Sequence, residues 1–417
     1  MSDDSLVDVA IIGGGAAGLT AGIFAAQTAG ESKRVLILDG AKSLGAKILV
    51  SGGGRCNVTH DEIRPEDFNG SRNIVRNILA AFDANAAVRW FASMGVELKR
   101  EDTGKLFPVA DSARVVLNAL LRRFEQSGGV IRCSSRVLDI TPHCDGHSTF
   151  TIRHSNGSIN AGRIILGTGG RSLPRSGSDG SGWEIARKLG HSVTPTYAAL
   201  APLVLDAAMF HASLAGISLE VGLSTFVNDK RVDHRTGSLL WTHFGISGPV
   251  VMDVSRHWII AQDSGLSPVM KCNLLATETF ESVEGWLMDL AVARPKLSIG
   301  NALPHRLPER VSSAVLEYAR IDPAMTCGQL ARESRRALVH ALTALPLPIV
   351  QHRGWNYAEV TAGGVPLNEI DYRTMESRKI PGLYLAGEIL DCDGRIGGFN
   401  FQWAWATGYL AGKAAGR

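Results

Sequence analysis

An α/β fold, Rossmann-like and interrupted by an inserted region, is what three stretches of this sequence predict. Residues 9–18, VAIIGGGAAG, read as a short buried strand, a GxGxxG turn and the start of an alanine-rich helix. A second apolar run, Val35–Leu38, ends at Asp39, 21 residues beyond Gly18. Two further apolar runs, Arg163–Gly170 and Gly382–Glu388, close in small-residue turns on either side of a region of different texture.

Each part of the first stretch has a mechanical reason. Gly13 permits the strand-to-helix turn, Gly15 lets a pyrophosphate approach the backbone, and Gly18 lets the helix pack on the sheet. The free N–H groups of the helix start, at Ala16 and Ala17, then face the phosphates. Asp39, at the tip of the second strand, is placed to hold a ribose hydroxyl. The order of strand, glycines, helix, strand and acid marks a dinucleotide site.

After Asp39 comes AKSLGAKILVSGGGRCNVTH. Lys47–Val50 reads as one more short strand, and Ser51–Gly54 as a loop able to lay backbone N–H groups on a ligand. With Gly53 and Gly54, then Arg55, Cys56 and Asn57, this loop is expected to lie over the cofactor. Asn73–Met94 and Ser112–Gln126 read as amphipathic helices, with a turn at Leu106–Pro108. Val130–Cys133 and Val137–Ile140 read as strands, followed by a hairpin through Phe150–Arg153 and Gly157–Ser158. The strand of RIILGTGG then delivers Thr168, Gly169 and Gly170 to a second cofactor-type turn.

From Val193 onward, short strands suggest an antiparallel, barrel-like unit. Leu239–Pro249, LLWTHFGISGP, reads as a strand, a turn and the start of a helix. Residues 278–342 read as amphipathic helices with a basic cluster at Arg332, Arg335 and Arg336, which is ordinarily a solvated face. The last segment returns to the cofactor pattern: Gly382–Gly387 is a strand ending at Glu388, and a Gly397–Gly398 turn opens a helix rich in Ala, Trp and Gly. That helix start, near Gly398, Phe399, Asn400 and Gln402, places N–H groups for a flavin carbonyl edge. Glu388 is expected near the ribityl and phosphate portion. The first and last parts of the chain therefore fold together, and residues 194–351 are an insertion.

Composition limits the alternatives. At 417 residues and 44.5 kDa, two or three domains are expected. The chain is 45% hydrophobic and 20% charged, without a run long enough to span a bilayer. A formal net charge of +3 neither demands nor forbids a nucleic-acid partner. The N-terminus lacks the pattern of a secretory signal, which points to the cytoplasm. The six cysteines, Cys56, Cys133, Cys144, Cys272, Cys327 and Cys392, form no CxxC and no zinc-type spacing, so reduced thiols and no metal are expected.

The segments GGGAAGLTAG, AKILVSGGGRCNVTH, WTHFGISGP and VTAGGVPLNEIDYRTMESRKIPGLYLAGEILDCDGRIGGFNFQWAWATG together resemble the BaiN/RdsA (YhiN-type) flavoprotein family. This family is also known as the aminoacetone oxidase family of FAD-binding enzymes. The resemblance runs from end to end. Cys392 and the two phenylalanines of GGFNFQ depart from it, where an aliphatic residue, a tyrosine and a leucine are expected. Phe399 thereby lacks a hydroxyl near the flavin.

The resemblance implies an FAD-binding domain of the two-dinucleotide-fold type over residues 1–193 and 352–417. It is interrupted by a β-barrel-like domain, 194–277 and 344–351, itself interrupted by a helical insertion, 278–343. It further implies bound FAD, reduced by NAD(P)H as a transient donor, since only one dinucleotide fingerprint is present. The family's activities include reduction of C=C bonds in steroid-like enones, reduction of uracil in ribosomal RNA to dihydrouracil, and an amine oxidase activity yielding peroxide. The favoured reading is hydride transfer from flavin N5 to a polarised C=C bond of a small molecule, with RNA as the rival partner. The expected cofactor shell comprises the residues named above together with Lys47, Ser51, Val137 and Gly387.

Four side chains are candidates for the chemistry. Cys56 is either a proton donor or a buried small hydrophobe. Arg55 either orients a carbonyl or clamps a phosphate. His243, in the WTHFGISGP turn, either faces the flavin or is a hydrogen-bonded histidine of the barrel. Arg395 holds a substrate anion or the flavin itself.

Overall fold

The structure, a computed structural model, describes residues 6–143 and 150–417. Cys144 and the N-terminal MSDDS lie outside the described residues. The chain divides into two compact units, Met1–Ala198 with Glu359–Arg417, and Ala199–Ala358.

In the first unit, β1 (Leu6–Ile12) lies at the centre of a parallel sheet. On one side it pairs with β2 (Val35–Leu38), which pairs in turn with Val130–Arg132. On the other it pairs with Gly157–Leu166, which pairs with Leu383–Leu385. Both faces are covered, so Val9, Ala10, Ile11 and Ile12 are all buried and the strand reads as an unbroken apolar run. Leu383–Leu385, far along the chain, thus completes the sheet that the N-terminus begins.

Three local expectations are corrected. Lys47–Val50 is not a strand: it lies in α2 (Ala46–Gly54), which leaves helical geometry at Ser51, Gly52 and Gly53. A four-residue apolar run does not separate strand from helix, and here Ile48 is buried while Val50 faces out, as in a helix turn. Leu106–Pro108 is not a turn but part of a strand, Lys105–Pro108, held between Thr59–His60 and Leu98–Arg100. The hairpin strand at Gly157 and the strand of RIILGTGG are one element, Gly157–Leu166. Its first half pairs antiparallel with Phe150–His154, and its second half lies between the parallel strands β1 and Leu383–Leu385. One strand changing neighbours this way alternates burial early and is wholly buried late, which masks its continuity.

The first helix, α1 (Ala16–Ala29), packs on the C-terminal helix Phe399–Gly416. Gly408, Gly412 and Gly416 recur every four residues, so they form one stripe. They lie against Ala17, Ala21 and Ala25, the matching stripe of α1. A Cβ at Gly408 would come within 2.7 Å of the Ala17 carbonyl oxygen, and one at Gly416 within 2.6 Å of that of Ala25. The two backbones approach as closely as the absence of side chains allows.

At the far edge of this unit, His191 is buried between Glu369 and Ser377. Ser377 Oγ accepts the Lys379 and Ile380 N–H groups, so its own proton goes to His191 Nε2 at 2.9 Å. Nδ1–H therefore donates to Glu369 Oε2 at 2.7 Å. Burial lowers the His191 pKa despite that carboxylate and keeps the ring neutral. Burial opposes ionisation of Glu369 too, but hydrogen bonds from Lys379, Ser192 and His191 outweigh it and bring its pKa down to about 2.

In the second unit the strands follow the order 345–347, 269–273, 218–227, 230–242, 245–247, 203–205, 349–352, every pairing antiparallel. The two ends of this path are separated in the chain by Pro348 alone, so the sheet must curl to bring its edges together. Helix Pro249–Asp263 fills the curl with Val250, Val251, Val254, Trp258 and Ile259. The helices of residues 280–343 all fall in the connection from Val269–Asn273 to Leu345–Leu347, two neighbouring strands. No helix among the described residues is long and apolar enough to cross a membrane.

Candidate functional site: a dinucleotide cradle

The turn after β1 is built from backbone. Gly13 has φ +99°, and a Cβ there would lie 2.6 Å from the Gly167 carbonyl oxygen, at the end of the neighbouring strand. A Cβ at Gly18 would overlap the Gly13 carbonyl. Gly15 differs: nothing lies within 4 Å of its Cβ position, so open space faces the start of α1. No side chain caps that helix at Gly15, which leaves its first N–H groups for a ligand. Asp39 sits beside this space. Its Oδ2 accepts the Gly14 N–H and its Oδ1 the Ala41 N–H, both at 2.7 Å. These bonds fix the carboxylate at the tip of β2 with lone pairs to spare for a diol. Ala16 and Ala17 begin the helix; Val137, in the strand Val137–Pro142, is buried.

Glu388 gathers four segments. Its Oε2 pairs with Lys47 of α2 at 2.5 Å. Its Oε1 accepts the Ser172 hydroxyl at 2.9 Å and the Thr361 N–H at 2.9 Å. Lys47 also donates to Ser172 Oγ at 2.6 Å. Thr361 Oγ1 in turn accepts the Arg171 N–H at 2.8 Å, so the Gly169–Gly170 turn is tied to the same knot. A Cβ at Gly170 would sit 2.6 Å from Glu388 Oε1. Gly387 is held by the C-terminal helix: its N–H donates to Thr407 Oγ1 at 2.9 Å and its carbonyl accepts Trp403 Nε1–H at 3.2 Å. Ser172, Thr361 and Thr407 escaped the sequence reading. Small hydroxyl side chains beside glycine turns carry no pattern of their own.

The loop after α2 turns back through Gly52, Gly53 and Gly54, all at positive φ, and Cys56 follows at φ +61°. Gly53 faces open space. Ser51 Oγ is bonded to the Ile48 carbonyl at 2.7 Å. Arg55 leans away on an ion pair with Glu101 at 2.7 Å and over the Phe107 ring at 4.0 Å. Cys56 is fully buried, and burial pushes its thiol up to about 12. It therefore stays protonated and packs the loop. Asn57 is buried with no partner for its Oδ1, and Thr168 Oγ1 is likewise buried and unpartnered.

At the start of the C-terminal helix, Gly398 has φ +95° and a Cβ there would meet the Thr59 backbone at 2.6 Å. Phe399 is buried and stacks on His60, with ring centroids 4.9 Å apart. Asn400 closes the preceding turn, accepting the Gly394 N–H at 2.8 Å and donating to its carbonyl at 2.9 Å. Gln402 is buried and satisfied by Thr59 Oγ1 at 2.7 Å and the Phe82 carbonyl at 2.6 Å. Asn400 and Gln402 thus spend their side chains on the protein, leaving the helix-start backbone to a ligand. Arg395 pairs with Asp67 at 3.3 Å and is part-exposed.

The first unit accordingly assembles Gly13–Gly18, Asp39, Lys47, the 51–57 loop, the 168–172 turn, Glu388 and the Gly398 helix start. Its residues fit a flavin dinucleotide on two observations: open space at Gly15 and Gly53, beside Gly13, Gly14, Gly18 and Gly170, which are crowded, and two buried oxygens, Asn57 Oδ1 and Thr168 Oγ1, without a hydrogen-bond partner. His243 belongs to the second unit. It is exposed in the turn between Lys230–Thr242 and Gly245–Ser247, edge-on to Phe244. Among the described residues no group of three or more His, Cys, Asp or Glu side chains is arranged for a metal.

The chain is 33% identical over 408 residues to the 3-dehydro-bile acid delta(4,6)-reductase of Clostridium scindens, covering 98% of each. It is also 33% identical over 410 residues to the ribosomal RNA dihydrouridine synthase of Escherichia coli, covering 97% of each. Among solved structures it shares its fold with the 3-ketosteroid-delta4-(5alpha)-dehydrogenase of Rhodococcus jostii RHA1. That match has TM-score 0.50 and 16% identity over 99% of this chain and 97% of the other. Residues 7–414 match the HI0933-like protein Rossmann domain. The chain belongs to this HI0933-like family of FAD-dependent oxidoreductases.

Proposed function

We propose that this protein is an NAD(P)H-driven reductase of polarised C=C bonds in small molecules. The observation that carries the reading is the flavin cradle of the first unit, in a chain that matches a C=C reductase along its whole length. FAD, when bound, supplies the hydride. The chain's own residues do the rest. The α1 start and Asp39 bind the dinucleotide's phosphate and ribose, and Lys47, Ser172 and Thr361 orient Glu388 beside them. A proton must reach the substrate's other alkene carbon. Cys56 is poorly suited to give it, being sealed from solvent with its thiol at about 12. Arg55 and Arg395 are each engaged by a carboxylate. His243 belongs to the second unit and is exposed, with no hydrogen-bond partner for its ring among the described residues.

The rival reading is dihydrouridine synthesis in ribosomal RNA, the activity named for two relatives at 33% and 30% identity. The basic cluster does not decide for it: Arg335 pairs with Glu284 at 3.5 Å, and the two exposed arginines, Arg332 and Arg336, the latter over the Phe280 ring, are what an ordinary solvated helix face carries.

The test is anaerobic stopped-flow of the purified protein with NADPH and NADH, then with acceptors. Fast bleaching, slow reoxidation by oxygen and rapid reoxidation by an enone support the proposal. Reoxidation by uracil-containing ribosomal RNA alone establishes the rival. Bleaching by an amine, with peroxide formed in air and no response to either nucleotide, makes the protein an oxidase and sinks both.

A further inference from the structure

In the second unit an arginine is held by two aromatic rings and by no anion. The strand Leu203–Leu205 lies between Gly245–Ser247 and Ile349–His352. Phe244 precedes the first of these neighbours and Arg353 follows the second. Backbone bonds tie both to the middle strand: the Leu205 N–H donates to the Phe244 carbonyl and the Arg353 N–H to the Pro202 carbonyl, each at 3.1 Å. The chain then turns at Gly354, φ +74°, whose N–H donates to His352 Nδ1 and whose carbonyl accepts the Tyr357 N–H, both at 3.1 Å. This turn folds Tyr357 back onto Arg353. The guanidinium carbon lies 3.5 Å from the Tyr357 ring centroid and 4.3 Å from that of Phe244.

The rings fix the cation but occupy none of its five N–H donors, which lie along the edge of the guanidinium plane. Among the described residues no carboxylate oxygen comes within 4.0 Å of those nitrogens and no acceptor takes their protons. Asp206 stands at the other end of Leu203–Leu205, where it accepts the Ala208 N–H at 2.9 Å. The group is open to solvent: Arg353 and Phe244 are part-exposed and Tyr357 is 48% exposed. His243, exposed as well, meets Phe244 edge-on with ring centroids 5.2 Å apart. Accessible aromatic rings around an arginine without a counter-ion have the make-up of a recognition surface.

We propose that Arg353 binds a carboxylate of the substrate, with Phe244 and Tyr357 holding the guanidinium edge toward it. The planar fork matches both oxygens of a carboxylate, and the rings offer apolar surface to the hydrocarbon beside it. A phosphate, with three free oxygens, calls for more donors than this one edge supplies. The substrate is therefore an apolar molecule that ends in a carboxylate. As a substrate anchor the site rests on the reductase reading above; as an anion site it stands without it.

The experiment follows the arginine Nε–H signals of the full-length, isotope-labelled protein by NMR, the Arg353 signal being the one missing from Arg353→Lys. Benzoate, benzamide and inorganic phosphate are titrated in turn at constant ionic strength. Benzoate should shift the signal saturably and benzamide should not. Tyr357→Leu keeps the charge but loses half the clamp, and should weaken benzoate about threefold. No saturable shift with benzoate, or an equal shift with benzamide, overturns the proposal. A shift with phosphate alone makes this a phosphate site and overturns the carboxylate. Turnover separates the two readings, using a pair of enones that differ only in a remote carboxylate or carboxamide. Arg353→Lys, which keeps the charge but not the planar fork, should raise the KM of the acid about tenfold and that of the amide much less. A wild-type KM for the acid in Arg353→Lys overturns the substrate anchor. Wild-type protein that reduces neither enone overturns the reductase reading, while the benzoate titration still decides the anion site.

Discussion

Replacing Gly408 by alanine should destabilise the first unit, although alanine is the better helix former. Gly408 lies within the helix Phe399–Gly416, so the substitution alone gains about 1 kcal/mol in helix propensity. The added Cβ would stand 2.7 Å from the Ala17 carbonyl oxygen and 2.9 Å from Thr20 Cβ, well inside ordinary contact at 3.4 Å. The oxygen belongs to a helix backbone and cannot swing aside, so the two helices must part. Overpacking of this kind costs about 1–3 kcal/mol, and the Gly412 and Gly416 contacts loosen with it. The net expectation is a loss of up to about 2 kcal/mol, centred near 1. Gly285→Ala is the control. It lies in the helix Phe280–Ala293 with nothing within 4 Å of its Cβ position, so it should stabilise by about 0.5–1 kcal/mol. Two units make a single global midpoint ambiguous, so the assay is hydrogen exchange read by peptide. Exchange should speed up in residues 16–29 and 399–416 of Gly408→Ala and slow in residues 280–293 of Gly285→Ala. Equal protection of the 399–416 helix in Gly408→Ala and wild type would refute the close-approach argument.

Three other outcomes follow from the same geometry. Glu388→Gln leaves Lys47 without its anion and slackens the knot of Ser172 and Thr361, so purified protein should hold FAD at least tenfold more weakly by fluorescence titration; unchanged affinity would remove Glu388 from the site. The Glu369 pKa, held at about 2, and the lowered His191 pKa both mean that the unfolded chain binds more protons. Stability of the first unit should therefore be full above the unfolded histidine value of 6.5, begin to fall below it, and fall further from 4.5 toward 2. The carboxylate's share is at most about 3 kcal/mol, and denaturant midpoints that stay flat from pH 7 to 4 would contradict the assignment. Finally, with its thiol buried and pushed up to about 12, Cys56 should resist a thiol reagent at pH 8 in the native protein and react on unfolding; mass-mapped labelling of native Cys56 within minutes would show that the loop opens.

The first βαβ unit was legible because its signals are local. A strand buried on both faces is apolar throughout, the turn needs Gly13 at positive φ, and the acid falls at the tip of the next strand. Glu388 was legible for the same reason, as an acid after a buried strand. The small-residue stripe of the last helix stands in the sequence at four-residue spacing. Its partner does not, because only folding brings residue 408 against residue 17.

What the sequence determined alone is thus the set of strand ends and turns, whose conformational demands act on neighbouring residues. Tertiary structure decided everything that depends on pairing across the chain. It made Lys47 part of a helix and joined it to an acid 341 residues away. It engaged the side chains of Asn400 and Gln402 as braces for the protein itself. It buried Cys56 and paired Arg55 with Glu101. Charge and burial are properties of a neighbourhood, and the neighbourhood of Arg55 is assembled from Glu101, Phe107 and Asp111, which no local pattern joins to it.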